Sequence, residues 1–364
     1  MTYRLSIGIL AYNESASIAV TIESIVSQSF LRRLPTDCAA LEIVCVPNGC
    51  TDDTADVAQR AFDRALREGL DPRVACRIVV LREGGKTNAW NEFVHRIADQ
   101  TADFLLMIDG DVRIGEPDTI RSLVASLRDT PDAFLATPRT IKHIELSGPR
   151  GVREFLSIHM GRIRTARPGG FAGCMYCARG AILRRIWFPK GMVGDDAFLH
   201  GLIVTDLCRS RERADRVVPA PAASVVFEAY TGVAKMYRTL RRQAVIRGMD
   251  AILWGFLWHN TGAQDAGELI RDLNERDPGW YRSLIRDHLA RSGWWVMPRG
   301  AVTRRWSYLR FLPPLRRIAY APLAALAVAV DLVVHVDANR LIRAGRWGGL
   351  WETTRTTRIG EGAK

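Results

Sequence analysis

Residues 104–111 read FLLMIDGD, and no other run narrows the choice of fold as far. Five consecutive apolar side chains, Phe104, Leu105, Leu106, Met107 and Ile108, suit a strand covered on both faces, because a strand with one wet face alternates apolar and polar residues. Strands of that kind belong to parallel sheets with helices on either side. The run ends at Asp109, so Asp109 and Asp111 fall at the C-terminal edge of the strand, where open α/β sheets gather their ligands. Two carboxylates at i and i+2 there can share one divalent cation through hard oxygen donors, and that cation can hold a diphosphate. This points to nucleotide-sugar chemistry. The competing reading is a solvated Asp-Gly-Asp turn.

The flanking sequence repeats one pattern. Segments 4–10 (RLSIGIL), 41–46 (LEIVCV), 77–81 (RIVVL) and 104–108 are strand-like. Each leads into a stretch with apolar residues at three- and four-residue spacing, over 14–30, 51–67, 86–98 and 117–128. Such alternation predicts right-handed βαβ units and a parallel sheet. The loops after the strands then line one edge. They carry Ala11-Tyr12-Asn13-Glu14, Pro47-Asn48-Gly49-Cys50-Thr51-Asp52-Asp53-Thr54, Arg82-Glu83-Gly84-Gly85-Lys86 and Asp109-Gly110-Asp111.

In content and order these motifs resemble the family 2 inverting glycosyltransferases of the GT-A fold. The family's opening strand with Tyr-Asn-Glu matches residues 7–14, ending in Tyr12, Asn13 and Glu14. Its Asp-Gly-Ser-x-Asp-x-Thr segment is approximated by Asn48, Gly49, Cys50, Asp52 and Thr54, and its Gly-Lys-x-x-Ala-x-Asn segment by Gly85, Lys86, Ala89 and Asn91 with one residue shifted. Asp109 and Asp111 stand at its Asp-x-Asp motif, and 189–199 (PKGMVGDDAFL) resembles its acidic pair before a helix. The match spans residues 2–248.

The resemblance implies an α/β, GT-A, Rossmann-like and mainly parallel sheet flanked by helices, with a helical C-terminal extension. It implies a catalytic domain over 1–248, with 1–115 binding the nucleotide sugar and 116–248 forming the acceptor side, followed by a Trp- and Arg-rich helical region over 249–364. The implied activity is metal-dependent, inverting transfer from a nucleotide diphosphate sugar, a UDP sugar first, to an acceptor hydroxyl, with Mn2+ or Mg2+ as cofactor. Asp111 is then the direct metal ligand, Asp109 stands beside it, and Lys86 faces the departing diphosphate. Ala11 and Tyr12 line the nucleoside pocket, Glu14 belongs to the same donor side, and Asp52 and Asn48 hydrogen-bond the base or ribose. Asn48 stands where the family has Asp, so an acceptor-only group gives way to one that also donates.

Inversion in one displacement needs a general base on the acceptor side. The resemblance gives that role to Asp196, with Asp195 replacing the more common Glu and orienting the site. Outside that context the pair reads as a helix cap with a favourable dipole contact. Where the family often carries Gln-x-x-Arg-Trp, residues 238–248 keep cations without the tryptophan or the spacing, which argues against a processive polysaccharide synthase. Arg242 and Arg247, with Arg241, are candidates for the diphosphate or an anionic acceptor; a solvated helix face is the alternative.

Two other functions compete. A GT-A-like sugar-phosphate nucleotidyltransferase opens with a glycine-rich, basic loop, which Leu10–Glu14 is not. A non-catalytic nucleotide-sugar binding protein has no need of Asp109, Asp111 and Asp196 together.

Composition bounds the setting. The first strand starts at once, so no leader is expected, and the seven cysteines fit reduced thiols and a cytoplasmic protein. Cys174 and Cys177 form a lone CxxC without the second pair a structural zinc requires. Glycines 169, 170 and 173 just before it are expected to shape the acceptor side. The formal charge is +12, and 301–364 holds eleven Arg or Lys against four Asp or Glu. No motif calls for nucleic acid. The apolar segment 318–336 is broken by Pro322, Asp331 and His335 and flanked by Arg316, Arg317, Arg340, Arg343 and Arg346, with Trp294, Trp295, Trp306, Trp347 and Trp351 nearby. A clean membrane span tolerates few such breaks. The expectation is a packed helical region or a homodimer contact, with peripheral attachment to the inner membrane face as its rival.

Overall fold

The computed structural model describes residues 2–146, 170–228 and 233–347, so Gly169 and Trp351 lie outside the described residues. The described chain parts into two compact units, one of residues up to 228 together with 263–276, the other of 233–262 together with 277–347.

The first unit is organised by one sheet with strand order β3-β2-β1-β4-β7-β6-β8-β5. Its strands are β1 (Tyr3–Ala11), β2 (Cys38–Pro47), β3 (Val74–Ile78), β4 (Phe104–Asp109), β5 (Arg113–Ile114), β6 (Leu135–Lys142), β7 (Met175–Arg179) and β8 (Val217–Phe227). β1 pairs in parallel with β2 and with β4, and β2 in parallel with β3, which is the expected parallel block. Beyond β4 the sheet becomes mixed. β7 runs antiparallel to β4 and β6, β8 runs parallel to β6, and β5 runs antiparallel to β8.

Apolar strands are buried here because helices cover them. Leu5, Ile7 and Ile9 of β1 share a core with Ile18, Ile22 and Ile25 of α1 (Ile18–Val26) and Phe62 of α2 (Thr54–Glu68). Each such side chain removed from water stabilises the fold by about 1.5–3 kcal/mol. On the other face of β1, a Cβ at Gly8 would meet the Phe93 ring at 2.6 Å, so only glycine lets that ring lie on the strand. α3 (Lys86–Glu92) runs on into a π turn, Phe93–Ile97, and α4 (Thr119–Asp129) follows β5.

Several boundaries differ from the periodicity. α1 begins at Ile18 rather than residue 14, because Asn13 takes a left-handed φ of 53° and the chain from 12 to 17 forms a site loop. The edge strand β3 lies three residues earlier than expected. Val79 and Leu81 still donate to Cys45 O and Pro47 O, 2.9 and 2.8 Å away, while Val80 turns outward.

A boundary after Gly248 does not hold, for Gly248 lies inside the helix Val233–Asn260. Its missing side chain serves close packing, since a Cβ would meet Ile342 Cδ1 at 2.8 Å. Nor is everything after that point separate. Residues 263–276 return to the first unit, where Asp265 meets Arg185 Nη2 at 2.9 Å and Ala266 N–H donates to Leu207 O at 3.0 Å. The second unit is helical as expected, with Val233–Asn260, Trp280–Arg291 and Pro314–Arg343 as its long helices.

Candidate active site

The turn after β4 is pinned. Asp109 N–H donates to Cys174 O and Gly110 N–H to Leu10 O, both at 2.9 Å. From α1, the Thr21 hydroxyl lies 2.9 Å from Gly110 O and 2.8 Å from Val112 O, and the Ser17 hydroxyl 3.1 Å from Gly110 O. A free solvated turn has no such anchors, so the carboxylates of Asp109 and Asp111 are presented from a fixed backbone.

Lys86, the first residue of α3, brings three of the motifs together. Its Nζ lies 2.9 Å from Asp109 Oδ1, 2.9 Å from Asp195 Oδ2 and 3.8 Å from Asp196 Oδ1. Burial alone would lower the ammonium's pKa, but Asp109, Asp195 and Asp196 outweigh it and hold the value well above the usual range. Burial pushes the Asp109 carboxyl up; Lys86 opposes this, while Asp111, Asp195 and Asp196 add to it. Among the described residues, three carboxylates thus meet one ammonium. Glu14 reports the same imbalance, its carboxyl raised to about 8 by burial first and then by Asp111 and Asp52, against the Ser17 hydrogen bond.

On the nucleoside side, the loops after β1 and β2 are laced together. Glu14 N–H donates to Thr54 Oγ1 at 2.8 Å, Ser15 N–H to Asp52 Oδ2 at 3.1 Å, and Thr51 N–H to Asn13 Oδ1 at 2.7 Å. Asp52 also accepts from the Thr54 backbone and hydroxyl, and these bonds keep its carboxyl below the ordinary value although burial opposes them. Asn48 is only 2% exposed; its Nδ2 donates to Ala11 O at 2.8 Å and its Oδ1 accepts from Gly85 N–H at 3.0 Å. An ionised Asp could not make the first of these bonds. The Asn in place of the family's Asp therefore ties β1 to the loop that carries Lys86. Gly49, at φ +59°, approaches Gly84 so closely that a Cβ would lie 2.6 Å from its Cα. Ala11 is buried at this edge, and Tyr12 is exposed beside it.

On the acceptor side, Asp195 precedes the helix Asp196–Val204 but makes no side-chain cap hydrogen bond. It turns to Lys86 instead, so the capping reading fails. Asp196 packs over Gly173, where a Cβ would meet its Cγ at 1.9 Å. Glycine is obligatory there for the carboxylate to hold its place. The approach to the pair is clamped: Asn91 bonds both N–H and C=O of Phe188 at 3.0 Å, Asn274 Nδ2 donates to Phe188 O at 2.9 Å, and Thr87 Oγ1 to Met192 O at 3.3 Å. Beneath it the Trp90 indole donates to the Tyr176 hydroxyl at 2.6 Å.

Lys86, Asp109, Asp195 and Asp196 are in contact, and Glu14 and Asp111 interact beside them. Arg242 and Arg247 belong to the second unit, on the helix Val233–Asn260; Arg247 Nη2 lies 3.5 Å from His335 Nε2, and the neighbouring Arg241 pairs with Asp337 at 3.2 Å. Sequence reasoning did not single out Ser17, Thr21, Thr87, Tyr176 or Asn274. Ser17, Thr21, Thr87 and Asn274 bond backbone carbonyls and Tyr176 accepts from the Trp90 indole, and such residues carry no motif. The seven cysteines are all free, and among the described residues no three His, Cys, Asp or Glu side chains group to hold a metal.

The model of the family described as glycosyl transferase family 2 matches residues 6–191. No curated protein matches the chain. Among solved structures, the mannosyltransferase PcManGT from Pyrobaculum calidifontis, in complex with GDP-Man and Mn2+, is similar with a TM-score of 0.53 and 17% identity, over 92% of this chain and 88% of that one. TarS 1-349 from S. aureus in complex with UDP gives 0.45 and 16%, over 94% and 92%. Glucosyl-3-phosphoglycerate synthase from Mycobacterium tuberculosis, with Mg2+ and UDP, gives 0.43 and 16%, over 67% and 77%. At its identity, the first of these likenesses shows the fold alone.

Proposed function

The chain belongs to glycosyl transferase family 2, whose model covers more than half of it, and from that premise we propose an inverting, metal-dependent transfer of a sugar from a nucleotide diphosphate sugar to an acceptor hydroxyl. The observation that carries the reading is the convergence of Asp109, Asp195 and Asp196 on Lys86. Membership of the family makes the chain a glycosyltransferase, which leaves no place for a nucleotidyltransferase or a silent binder.

In this reading the acceptor oxygen attacks the anomeric carbon as the bond from that carbon to the diphosphate oxygen breaks. The electron pair leaves with the nucleoside diphosphate, and the acceptor proton passes to Asp196. Asp195 holds Lys86 toward the leaving side, where its ammonium offsets growing charge. The loops at Ala11, Tyr12, Glu14 and Asp52 receive the nucleoside, and Asn48 supports them.

The residues fit a divalent cation, because Asp109 and Asp111 act on each other at one pinned strand end and offer hard oxygen donors. Asp111, with Asp109, would hold it. Two carboxylates completed by substrate phosphates is a usual arrangement for Mg2+. When bound, the cation supplies positive charge against the departing diphosphate. The solved mannosyltransferase with GDP-Man and Mn2+ makes a metal–nucleotide donor the natural first ligand to try; the reading places a UDP sugar first.

Thermal shift with UDP, GDP and TDP sugars, with and without Mn2+, tests this, since a bound donor raises stability by mass action. One donor is expected to raise the Tm only with metal, and Asp111→Ala to remove that shift while the Tm of the free protein stays near wild type. Equal donor and metal binding by Asp111→Ala would refute the metal assignment.

A further inference from the structure

The polar residues that break the apolar run 318–336 are hidden in the structure. In the second unit, Asp331 is buried and meets Arg305 at 3.0 Å, and buried His335 lies with Nδ1 2.6 Å from Asp331 O. Both lie on the inward face of the helix Pro314–Arg343, with Ala324, Val334, Ala338 and Ile342. At about 100° per residue, Leu315, Ile318, Leu326, Val330 and Val333 fall on the opposite face. That face is open: Leu315 is 84% exposed, Ile318 74%, Leu326 63% and Val333 61%. The breaks that argued against a membrane in the sequence therefore leave a continuous apolar stripe outside.

We propose that this stripe docks the protein on an anionic lipid surface, with the helix lying in the plane of the interface. Charge selects the occupant. Residues 288–330, which lead into and form the first half of the helix, hold seven arginines and no Asp or Glu, a distribution drawn to an anionic leaflet. Trp294, Trp295 and Trp306, exposed in the same stretch, suit the headgroup level. At the start of the helix a concavity of about 420 Å³ is lined by Trp306, Leu309, Ile318 and Ala321 together with Arg310 and Arg317. Apolar walls and guanidinium groups in one cavity match a lipid headgroup with the first part of its chain.

A crossing is a different matter. The helix has the length and apolarity to span, with mean hydropathy 1.9 over its best window. A span would, however, strip the inward face from its unit and carry the Asp331–Arg305 pair into hydrocarbon. In-plane docking leaves both intact.

Co-sedimentation of the full chain with vesicles of phosphatidylglycerol in phosphatidylcholine, against phosphatidylcholine alone, tests the proposal. Binding to the anionic vesicles is expected, weakened by raised salt. The double variant Ile318→Asp/Leu326→Asp, at exposed positions, should lower the partition by at least about tenfold at an unchanged Tm. Arg310→Gln/Arg316→Gln should weaken binding to anionic vesicles alone. Absence of binding to anionic vesicles, or wild-type binding by the apolar double variant, would overturn it. So would a dimer in solution, without vesicle binding, that the same double variant dissolves, for the face would then belong to a second copy.

Discussion

Lys86 offsets Asp109, Asp195 and Asp196 at once. An exposed ion pair contributes about 0–1 kcal/mol, but the Lys86 side chain is 19% exposed, and removing one partner of a buried pair leaves the others uncompensated at a cost of about 3–5 kcal/mol. His95 shows the opposite behaviour, a titratable group kept neutral. Its Nε2 lies 2.8 Å from Ile186 O, its ring stacks on Trp187 at 3.6 Å, and burial lowers its pKa from 6.5 to about 4, with Arg184, Arg96 and Arg271 adding to the effect against the Ile186 bond. Because the folded value is depressed, the neutral ring's contribution is complete above pH 6.5 and is lost as pH falls toward about 4. The chain anchored at Ile186 leads to Asp195 and Asp196. Chemical denaturation between pH 7 and 4 is expected to show stability falling in that window, and falling less in His95→Gln, which keeps an N–H for Ile186 O. An equal fall in both proteins would remove His95 from the account.

At the scale of elements, the site gathers the end of β4, the starts of α3 and of the helix Asp196–Val204, and the loops around them. Asn91 on α3 is buried and makes two bonds to Phe188, so Asn91→Ala should cost about 1–3 kcal/mol in urea unfolding. Because those bonds hold the segment before the acidic pair, kcat should fall while donor affinity stays near wild type. Unchanged kcat at the expected loss of stability would make the clamp purely structural. The parallel block was legible in the sequence because FLLMIDGD and its three fellow strands are apolar runs ending in polar loops, a pattern that burial on both faces enforces. The mixed half was not, since β6, β7 and β8 carry no motif and their pairing order depends on long-range contacts. Asn48 was legible as a departure from the family, but its reason, a donor for Ala11 O, needed the loop geometry. Asp331 and His335 were legible as breaks in an apolar run, but that they share the inward face needed the structure, because a linear run hides which face of a helix each residue takes.

For the whole molecule, the two units differ in content. Among the described residues, the partners of Lys86 all belong to the first, and the second holds the apolar-faced helix Pro314–Arg343. The charge of +12 is therefore no uniform property of the chain: acidic groups gather at the site of the first unit, and basic groups gather in the second. The central claim is that Asp196 removes the acceptor proton in a single displacement. Its most direct test measures donor binding by calorimetry and donor turnover, with water as acceptor, on the same samples of wild type, Asp196→Asn and Asp195→Asn. Asp196→Asn keeps the shape of the side chain and loses its basicity, so turnover should fall by about 10²-fold or more at unchanged donor affinity. Wild-type turnover in Asp196→Asn, with the large loss appearing in Asp195→Asn, would contradict it.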